Sequence, residues 1–126
     1  MKLLHTMIRI KNIDESLKFY TELLNMKFDK KKELDDCELY FLTDEDGCNQ
    51  IELTYNHDTP QNGYDIGTGF GHLAFSVKSL DDFSKKLYAM GYKYLYEPYK
   101  LNGISSTIAF INDPDGYEIE LIEKVI

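Results

Sequence analysis

The sequence predicts an α+β fold built from two βαβββ modules, because strand and helix patterns repeat along the chain. The segment from His5 (HTMIRIKNIDESLKFYTELLNMKF) and the segment from His72 (HLAFSVKSLDDFSKKLYAMGYKY) each open as an apolar strand and continue with helical periodicity. Further on, YFLTDEDGCNQIELTYN (40–56) matches AFINDPDGYEIELIEK (109–124) as two strands around an acidic, glycine-containing turn. We therefore expect one curved mixed sheet, with the helices on its convex side and a concave side open to a ligand.

The helical periodicity covers residues 13–24 and 80–90, and each stretch predicts a helix. Ser79 and Asp82 are spaced as in a capping box, and Gly91 follows the last turn of the second helix. The segments 27–34 and 92–98 supply the remaining strand of each module. The apolar stripes expected to face the sheet are Leu17, Tyr20 and Leu24 in the first helix and Phe83, Leu87 and Met90 in the second.

The repeat divides the chain into module 1 (about 1–56), a turn-rich linker (57–69) and module 2 (about 70–126). A chain of 126 residues with 43% hydrophobic content predicts that both modules form one domain. The net charge of −8 is spread along the chain without a basic patch, which argues against a nucleic-acid partner. No apolar run approaches the roughly 18 residues of a membrane span, and MKLLHTMIRI is too short and too polar for a secretory signal, so neither is expected. A cytoplasmic protein with free thiols at Cys37 and Cys48 is expected.

Strand alternation divides the side chains of the last predicted strand between two faces. Glu118 and Glu120 share the face opposite the helices, whereas Glu123 lies on the other face and is expected to be solvated. The repeat distinguishes between the first two, because IEL at 119–121 superposes on IEL at 51–53. Glu120 therefore corresponds to Glu52, while Glu118 corresponds to Gln50 and is expected at the rim.

His5 and His72 are equivalent in the repeat, as are Glu52 and Glu120, and pseudo-twofold symmetry brings equivalent positions together. Two converging carboxylates repel each other and lose hydration unless a cation lies between them. The quartet of His5, Glu52, His72 and Glu120 therefore predicts a site for a divalent metal ion. Two imidazoles and two carboxylates suit Ni²⁺, Co²⁺, Mn²⁺, Fe²⁺ or Zn²⁺, and the ligand types alone do not choose among them.

Five segments of the chain together resemble glyoxalase I (lactoylglutathione lyase), a family of the vicinal-oxygen-chelate superfamily. They are LLHTMIRI, SLKFYTELLNMKF, IELTYN, GHLAFSV and AFINDPDGYEIELIE, and they extend from Leu3 to Glu123. The resemblance places the family's metal ligands on His5, Glu52, His72 and Glu120. Histidine at the first of these positions is similar to the nickel- or cobalt-activated class, so Ni²⁺ is expected, with Co²⁺ as an alternative and Zn²⁺ disfavoured.

The resemblance implies isomerisation of the methylglyoxal–glutathione hemithioacetal to S-lactoylglutathione through an enediolate. It assigns the base to Glu120 and makes Glu52 the symmetric candidate for the other hemithioacetal enantiomer. Glutathione as co-substrate would be held by Arg9 and Asn56 at its glutamyl end and by Lys100 near its glycine carboxylate. His57 stands where relatives carry tryptophan and is expected to be a loop residue. Relatives of this size act as homodimers, and the implied site is built either within one chain or across two.

Two other functions fit the same fold. The first is a metalloenzyme with another substrate, such as an epimerase, a thiol transferase or a dioxygenase. The metal site of these enzymes usually resembles a set of two histidines and one carboxylate. The second carboxylate, Glu52, argues against that class. A non-catalytic protein that sequesters a ligand commonly lacks the metal ligands, so the complete quartet argues against it as well.

Overall fold

A computed structural model describes residues 1–103 and 105–123 of the chain. The chain divides into two units, Met1–Asp65 and Ile66–Ile126, and the division falls inside the predicted linker. Each unit contains one four-stranded mixed sheet and one helical segment in the order of a βαβββ module. The predicted α+β class and the paired modules are therefore confirmed. Among the described residues, no helix has the length and apolar character needed to cross a membrane.

The elements of the first unit are β1 Thr6–Arg9, α1 Ile13–Leu17 with a π-helical continuation over Lys18–Leu23, β2 Lys27–Glu33, β3 Cys37–Thr43 and β4 Gln50–Asn56. Their strand order is β1-β4-β3-β2, with β1 parallel to β4 and the other neighbours antiparallel. The predicted strand at 27–34 is observed as β2. Strand β1 begins at Thr6, so His5, which was predicted to be the first residue of this strand, immediately precedes it.

The helical segment of the first unit buries a different stripe from the predicted one. Tyr20 is fully buried as expected, but Leu17 and Leu24 are only half-buried. For Leu24 the cause is the wide π-helical turn that follows Leu17, in which the Leu24 N–H donates to the carbonyl of Phe19 at 3.1 Å, five residues back. More residues per turn rotate later side chains away from the positions that a period of 3.6 predicts. The buried side chains of this segment are Ser16, Phe19, Tyr20 and Leu23.

The elements of the second unit are β5 His72–Val77, α2 Leu80–Ala89, β6 Tyr96–Lys100, β7 Thr107–Asn112 and β8 Glu118–Glu123. The unit repeats the topology of the first with the order β5-β8-β7-β6, in which β5 runs parallel to β8. Its helix is regular, buries Leu87 completely, and is followed by Gly91 in the left-handed region at φ 82°.

The prediction that Glu123 is solvated is wrong. Its Oε2 accepts a hydrogen bond of 2.6 Å from the backbone N–H of Leu80, the first residue of α2. Ser79 caps the same terminus by accepting from the Asp82 N–H at 3.2 Å. The first N–H groups of a helix have no acceptor within the helix. The Glu123 carboxylate, which comes from β8, accepts from one of them, and its negative charge interacts favourably with the helix dipole.

Strand β6 lies further along the chain than predicted, over Tyr96–Lys100 rather than 92–98. The N–H of Tyr92 still bonds to the carbonyl of Leu87, which ties residue 92 to the end of α2. The ladder with β7 also changes register between Tyr96 and Tyr99, where Pro98 has no N–H to donate.

The contact between Glu123 and α2 identifies the faces of the second sheet. Ile119 and Leu121 alternate along β8 with Glu118 and Glu120. Both share the face of Glu123 and are fully buried. Glu118 and Glu120 therefore point to the face away from α2, as predicted. The equivalent positions in the first unit behave alike, since Leu53 is fully buried while Glu52 lies on the opposite face.

Candidate metal centre

Each sheet carries one row of side chains that the strand register aligns across all four strands. In the first unit the inner strand β4 contributes Glu52 to this row, and in the second unit the inner strand β8 contributes Glu120. The two rows have the same residue types on their two inner strands, a glutamate and a phenylalanine, and differ on the outer strands. The rows are Met7, Glu52, Phe41 and Lys30 in the first unit and Ala74, Glu120, Phe110 and Tyr96 in the second.

In the first unit His5 and Glu52 face each other, with 3.7 Å between His5 Nε2 and Glu52 Oε1. The imidazole ring meets the Phe41 ring edge-on at a centroid distance of 5.6 Å. The other carboxylate oxygen, Glu52 Oε2, accepts a 2.9 Å hydrogen bond from the Thr54 hydroxyl. Phe41 and Thr54 therefore fix the orientation of the two predicted ligands.

The second unit has the same arrangement with a shorter contact. His72 Nε2 lies 3.0 Å from Glu120 Oε2, and the imidazole meets Phe110 edge-on at 5.4 Å. Tyr96 packs on the far side of the row, with its ring 5.7 Å from that of Phe110. The side chain of His72 is 40% exposed, so its imidazole is partly accessible to solvent.

Within each unit, the distance between histidine nitrogen and carboxylate oxygen can be compared with the spacing of two ligands on one small divalent cation. Ligands at about 2.1 Å from a metal lie roughly 3.0–3.4 Å from each other at octahedral or tetrahedral angles. The contact of 3.0 Å in the second unit falls within this range, and the contact of 3.7 Å in the first is slightly longer. Within the described ranges, no three His, Cys, Asp or Glu side chains form a cluster that could hold a metal ion. Each unit by itself therefore contributes two ligand candidates.

Three of the supporting residues, Phe41, Phe110 and Thr54, were not identified from the sequence. Phe41 and Phe110 occupy the same place in the repeat, in YFLT and AFIN, so the repeat held a signal for both. Thr54 follows Glu52 by two residues and shares its face, but alternation does not reveal that its hydroxyl reaches the carboxylate. Glu118, predicted at the rim, is half-buried and lies opposite His72 in the register of β5 and β8.

The three predicted thiol-binding residues, Arg9, Asn56 and Lys100, lie on three different strands. Arg9 is an exposed residue of β1 that pairs with Thr54 in the sheet register, so it lies on the face of the ligand pair. Asn56 ends β4, and its amide donates to the Tyr64 hydroxyl at 2.9 Å. Lys100 is the exposed last residue of β6 in the other unit.

His57 lies outside β4 and belongs to a separate polar cluster on the first unit. Its Nε2 is 3.9 Å from Glu38 Oε2, and Lys31 Nζ lies 2.9 Å from Glu38 Oε1. The hydrogen bond from Lys31, followed by that from Tyr40, lowers the pKa of the Glu38 carboxyl. Glu38 is thus paired with Lys31, Tyr40 and His57. His57 contacts this cluster and not the pair of His5 and Glu52.

The chain matches a protein family over nearly all of its length. Residues 2–121 fit the model of the glyoxalase/bleomycin resistance protein/dioxygenase superfamily. A probable lactoylglutathione lyase from Synechocystis is 40% identical over 129 aligned positions, which cover 98% of this chain and 95% of that protein.

Solved structures share the fold. Glyoxalase I from Zea mays superposes with a TM-score of 0.86 at 36% identity, over 99% of this chain and 45% of the maize chain. A glyoxalase I from Leishmania major, described as trypanothione-dependent, has a TM-score of 0.79 at 34% identity and covers 98% of this chain and 86% of its own. The chain thus spans less than half of the maize protein and most of the other two relatives.

Proposed function

Because the chain belongs to the glyoxalase/bleomycin resistance protein/dioxygenase superfamily, we propose that it is a metal-dependent lactoylglutathione lyase. The observation that supports this most directly is the pair of matching His–Glu contacts, each backed by a phenylalanine on the adjacent strand. The reaction isomerises the hemithioacetal of methylglyoxal and glutathione to S-lactoylglutathione, which detoxifies methylglyoxal.

The ligands of the metal in this proposal are His5 and Glu52 from one unit and His72 and Glu120 from another. When bound, a divalent cation acts as a Lewis acid that stabilises negative charge on two neighbouring substrate oxygens. The imidazoles would hold the ion through Nε2, because this is the atom that faces the carboxylate in each pair. The edge contacts with Phe41 and Phe110 restrict rotation of the two rings and keep these nitrogens in place.

Glu120 moves the proton. Its carboxylate takes the hydrogen from C1 of the hemithioacetal as a proton, and the electron pair of that bond enters the enediolate. The same carboxylate then gives the proton to C2, while the hydroxyl proton passes from the C1 oxygen to the C2 oxygen, so that the thioester product is an isomer of the substrate. General acid–base catalysis of this kind contributes about 10²–10⁴-fold to a rate.

Arg9 and Asn56 bind the glutamyl end of glutathione, and Lys100 binds the glycine carboxylate. A guanidinium suits a carboxylate through two parallel hydrogen bonds, and an amide supplies both a donor and an acceptor. The Leishmania relative is described as trypanothione-dependent, so the thiol differs among relatives of this fold. Exchange of the thiol in the assay therefore tests this part of the proposal separately from the metal site.

The functional unit is a homodimer in this proposal. The maize chain is more than twice as long as the part that this chain matches, which is the length that two copies would supply. Two copies offer four units and hence two complete sets of ligands.

The decisive experiment is reconstitution of metal-depleted protein. We expect methylglyoxal–glutathione isomerase activity to return with Ni²⁺ or Co²⁺ and to stay low with Zn²⁺, because the first ligand is a histidine, His5. Metal content is measured on the same samples, so that failure to bind is distinguished from failure to turn over. Activity with zinc alone would contradict the metal class, and metal-loaded protein without isomerase activity would favour another substrate.

A further inference from the structure

We propose that Thr54 is a positioning residue that holds Glu52 as a fixed ligand and thereby leaves Glu120 as the carboxylate that moves the proton. The inference rests on the proposed function, because it explains how two equivalent glutamates acquire different tasks. The repeat makes Glu52 and Glu120 alike in sequence, in register and in their histidine neighbours. The difference between them must come from other side chains.

The Thr54 hydroxyl divides the two oxygens of Glu52 between two uses. It donates to Oε2 at 2.9 Å, while Oε1 is the oxygen that faces His5 Nε2. Thr54 is 5% exposed and Glu52 is 9% exposed, so water competes little for this hydrogen bond. A bond from a hydroxyl to a buried carboxylate is stronger than one between neutral groups. Glu52 is therefore held with one oxygen toward the metal position and cannot rotate without losing the bond.

The equivalent position beside Glu120 is Ile122. It follows Glu120 by two residues on the same face, and it pairs with Ser76 on β5 just as Thr54 pairs with Arg9 on β1. An isoleucine side chain has no donor, so it cannot restrain a carboxylate in the way that a threonine does. Glu120 can therefore rotate between the metal position and a substrate carbon. A proton shuttle requires this freedom, because the carboxylate must reach two adjacent carbon atoms in turn.

The first test removes the hydroxyl from Thr54 and uses a readout independent of turnover. Apo-protein is loaded with Ni²⁺ alone and titrated with a chelator, for wild type, Thr54→Val and Thr54→Ser. Loss of a group that orients a metal ligand costs about 10–100-fold in metal affinity or activity, so we expect Thr54→Val to retain Ni²⁺ about tenfold less well. Thr54→Ser keeps the hydroxyl and should restore wild-type retention. Equal Ni²⁺ retention in Thr54→Val and wild type would overturn the proposal.

The second test adds a hydroxyl beside Glu120. Ile122→Thr is compared with Ile122→Val, which has the same shape without the donor. We expect kcat of Ile122→Thr to be about tenfold lower than that of Ile122→Val, with KM within about twofold, because only proton transfer is restrained. Equal kcat values in the two variants would overturn the assignment of mobility to Glu120. If the wild type has no isomerase activity, the proposed function fails, and the Ni²⁺ titration still decides the role of Thr54.

Discussion

The two units carry the same His–Glu–Phe arrangement on equivalent strands, but they differ in the residues that surround it. In the first unit Thr54 binds the carboxylate and Lys30 Nζ lies 5.1 Å from the centre of the Phe41 ring. In the second unit the corresponding residues are Ile122 and Tyr96, which supply neither a donor to the carboxylate nor a charge above the ring. The His–Glu pairs that are the metal-ligand candidates and their phenylalanines are thus repeated, while the other residues that contact them are not.

The helical segments of the two units also occupy equivalent places and differ in their supporting contacts. The first unit begins its helix with the Asn12 side chain as the cap, which accepts from the Glu15 N–H at 3.0 Å, and the helix then widens into a π-helical turn. The second unit has a regular helix whose start is held by Ser79 and by Glu123 from the sheet. A duplicated module therefore keeps its topology and its ligand pair while its supporting contacts diverge.

The strongest test of this comparison asks whether one unit can complement another in trans. His5→Ala inactivates the ligand pair of the first unit, and His72→Ala inactivates that of the second, so each variant alone should lose nearly all activity. If each site joins the first unit of one copy to the second unit of the other, a mixed dimer contains one intact site. Mixing the two variants after reversible dissociation should then restore about a quarter of wild-type activity.

The matched control for the mixing experiment is His5→Ala mixed with itself under the same conditions. It should stay inactive in every arrangement, because no copy has an intact first unit. The absence of any recovery from the mixture of both variants, with mixed dimers verified by mass, would show that each site is built within one chain.

The next test compares Glu120 with Glu52. Glu120→Gln should lower kcat by about 10²–10⁴-fold while substrate still binds, because the amide cannot accept the proton from C1. Glu52→Gln should mainly weaken metal retention, because it removes a charge from a fixed ligand. Glu118→Gln is the control, since Glu118 lies on the same face of the same strand but is the rim residue. A turnover number of Glu120→Gln within a few-fold of that of Glu118→Gln would exclude Glu120 as the base.

The smallest effect is expected at the helix start of the second unit. Glu123→Ala removes the acceptor of the Leu80 N–H and the negative charge near the helix N-terminus, which should lower stability by about 1 kcal/mol. Glu97→Ala, at an exposed position of β6, is the control and should be near neutral. The measurement is denaturant unfolding of both variants. Equal midpoints would show that the Glu123 cap does not contribute to stability.

The sequence predicted the fold well because the signals for it are local and repeated. Period-2 alternation assigned Glu118 and Glu120 to one face and Leu121 to the other, and the burial of Leu121 agrees with this. The repeat pointed to Glu52 and Glu120 among the glutamates of two strands, and each has its histidine within 4 Å in the structure. Hydrophobic periodicity also located both helices, since it depends only on neighbours along the chain.

The wrong predictions have in common that a hydrogen bond not encoded in the residue pattern decided the outcome. Leu24 fits a helical stripe, but the π-helical turn before it places Phe19 and Leu23 in the buried positions. Glu123 was predicted to be solvated because the backbone N–H that donates to it belongs to Leu80, which is 43 residues away in the sequence. Strand β6 shifted because Tyr92 remained bonded to the end of α2.

The sequence by itself determined the duplicated module, the face of each strand and the identity of the ligand candidates, because alternation and repetition are properties of residue order. Only the tertiary structure decided how the side chains around those ligands act. The Thr54 hydroxyl reaches one oxygen of Glu52, and Phe41 and Phe110 orient the two imidazoles. These relations depend on rotamers and on register between strands, and both are set by packing rather than by the order of residues.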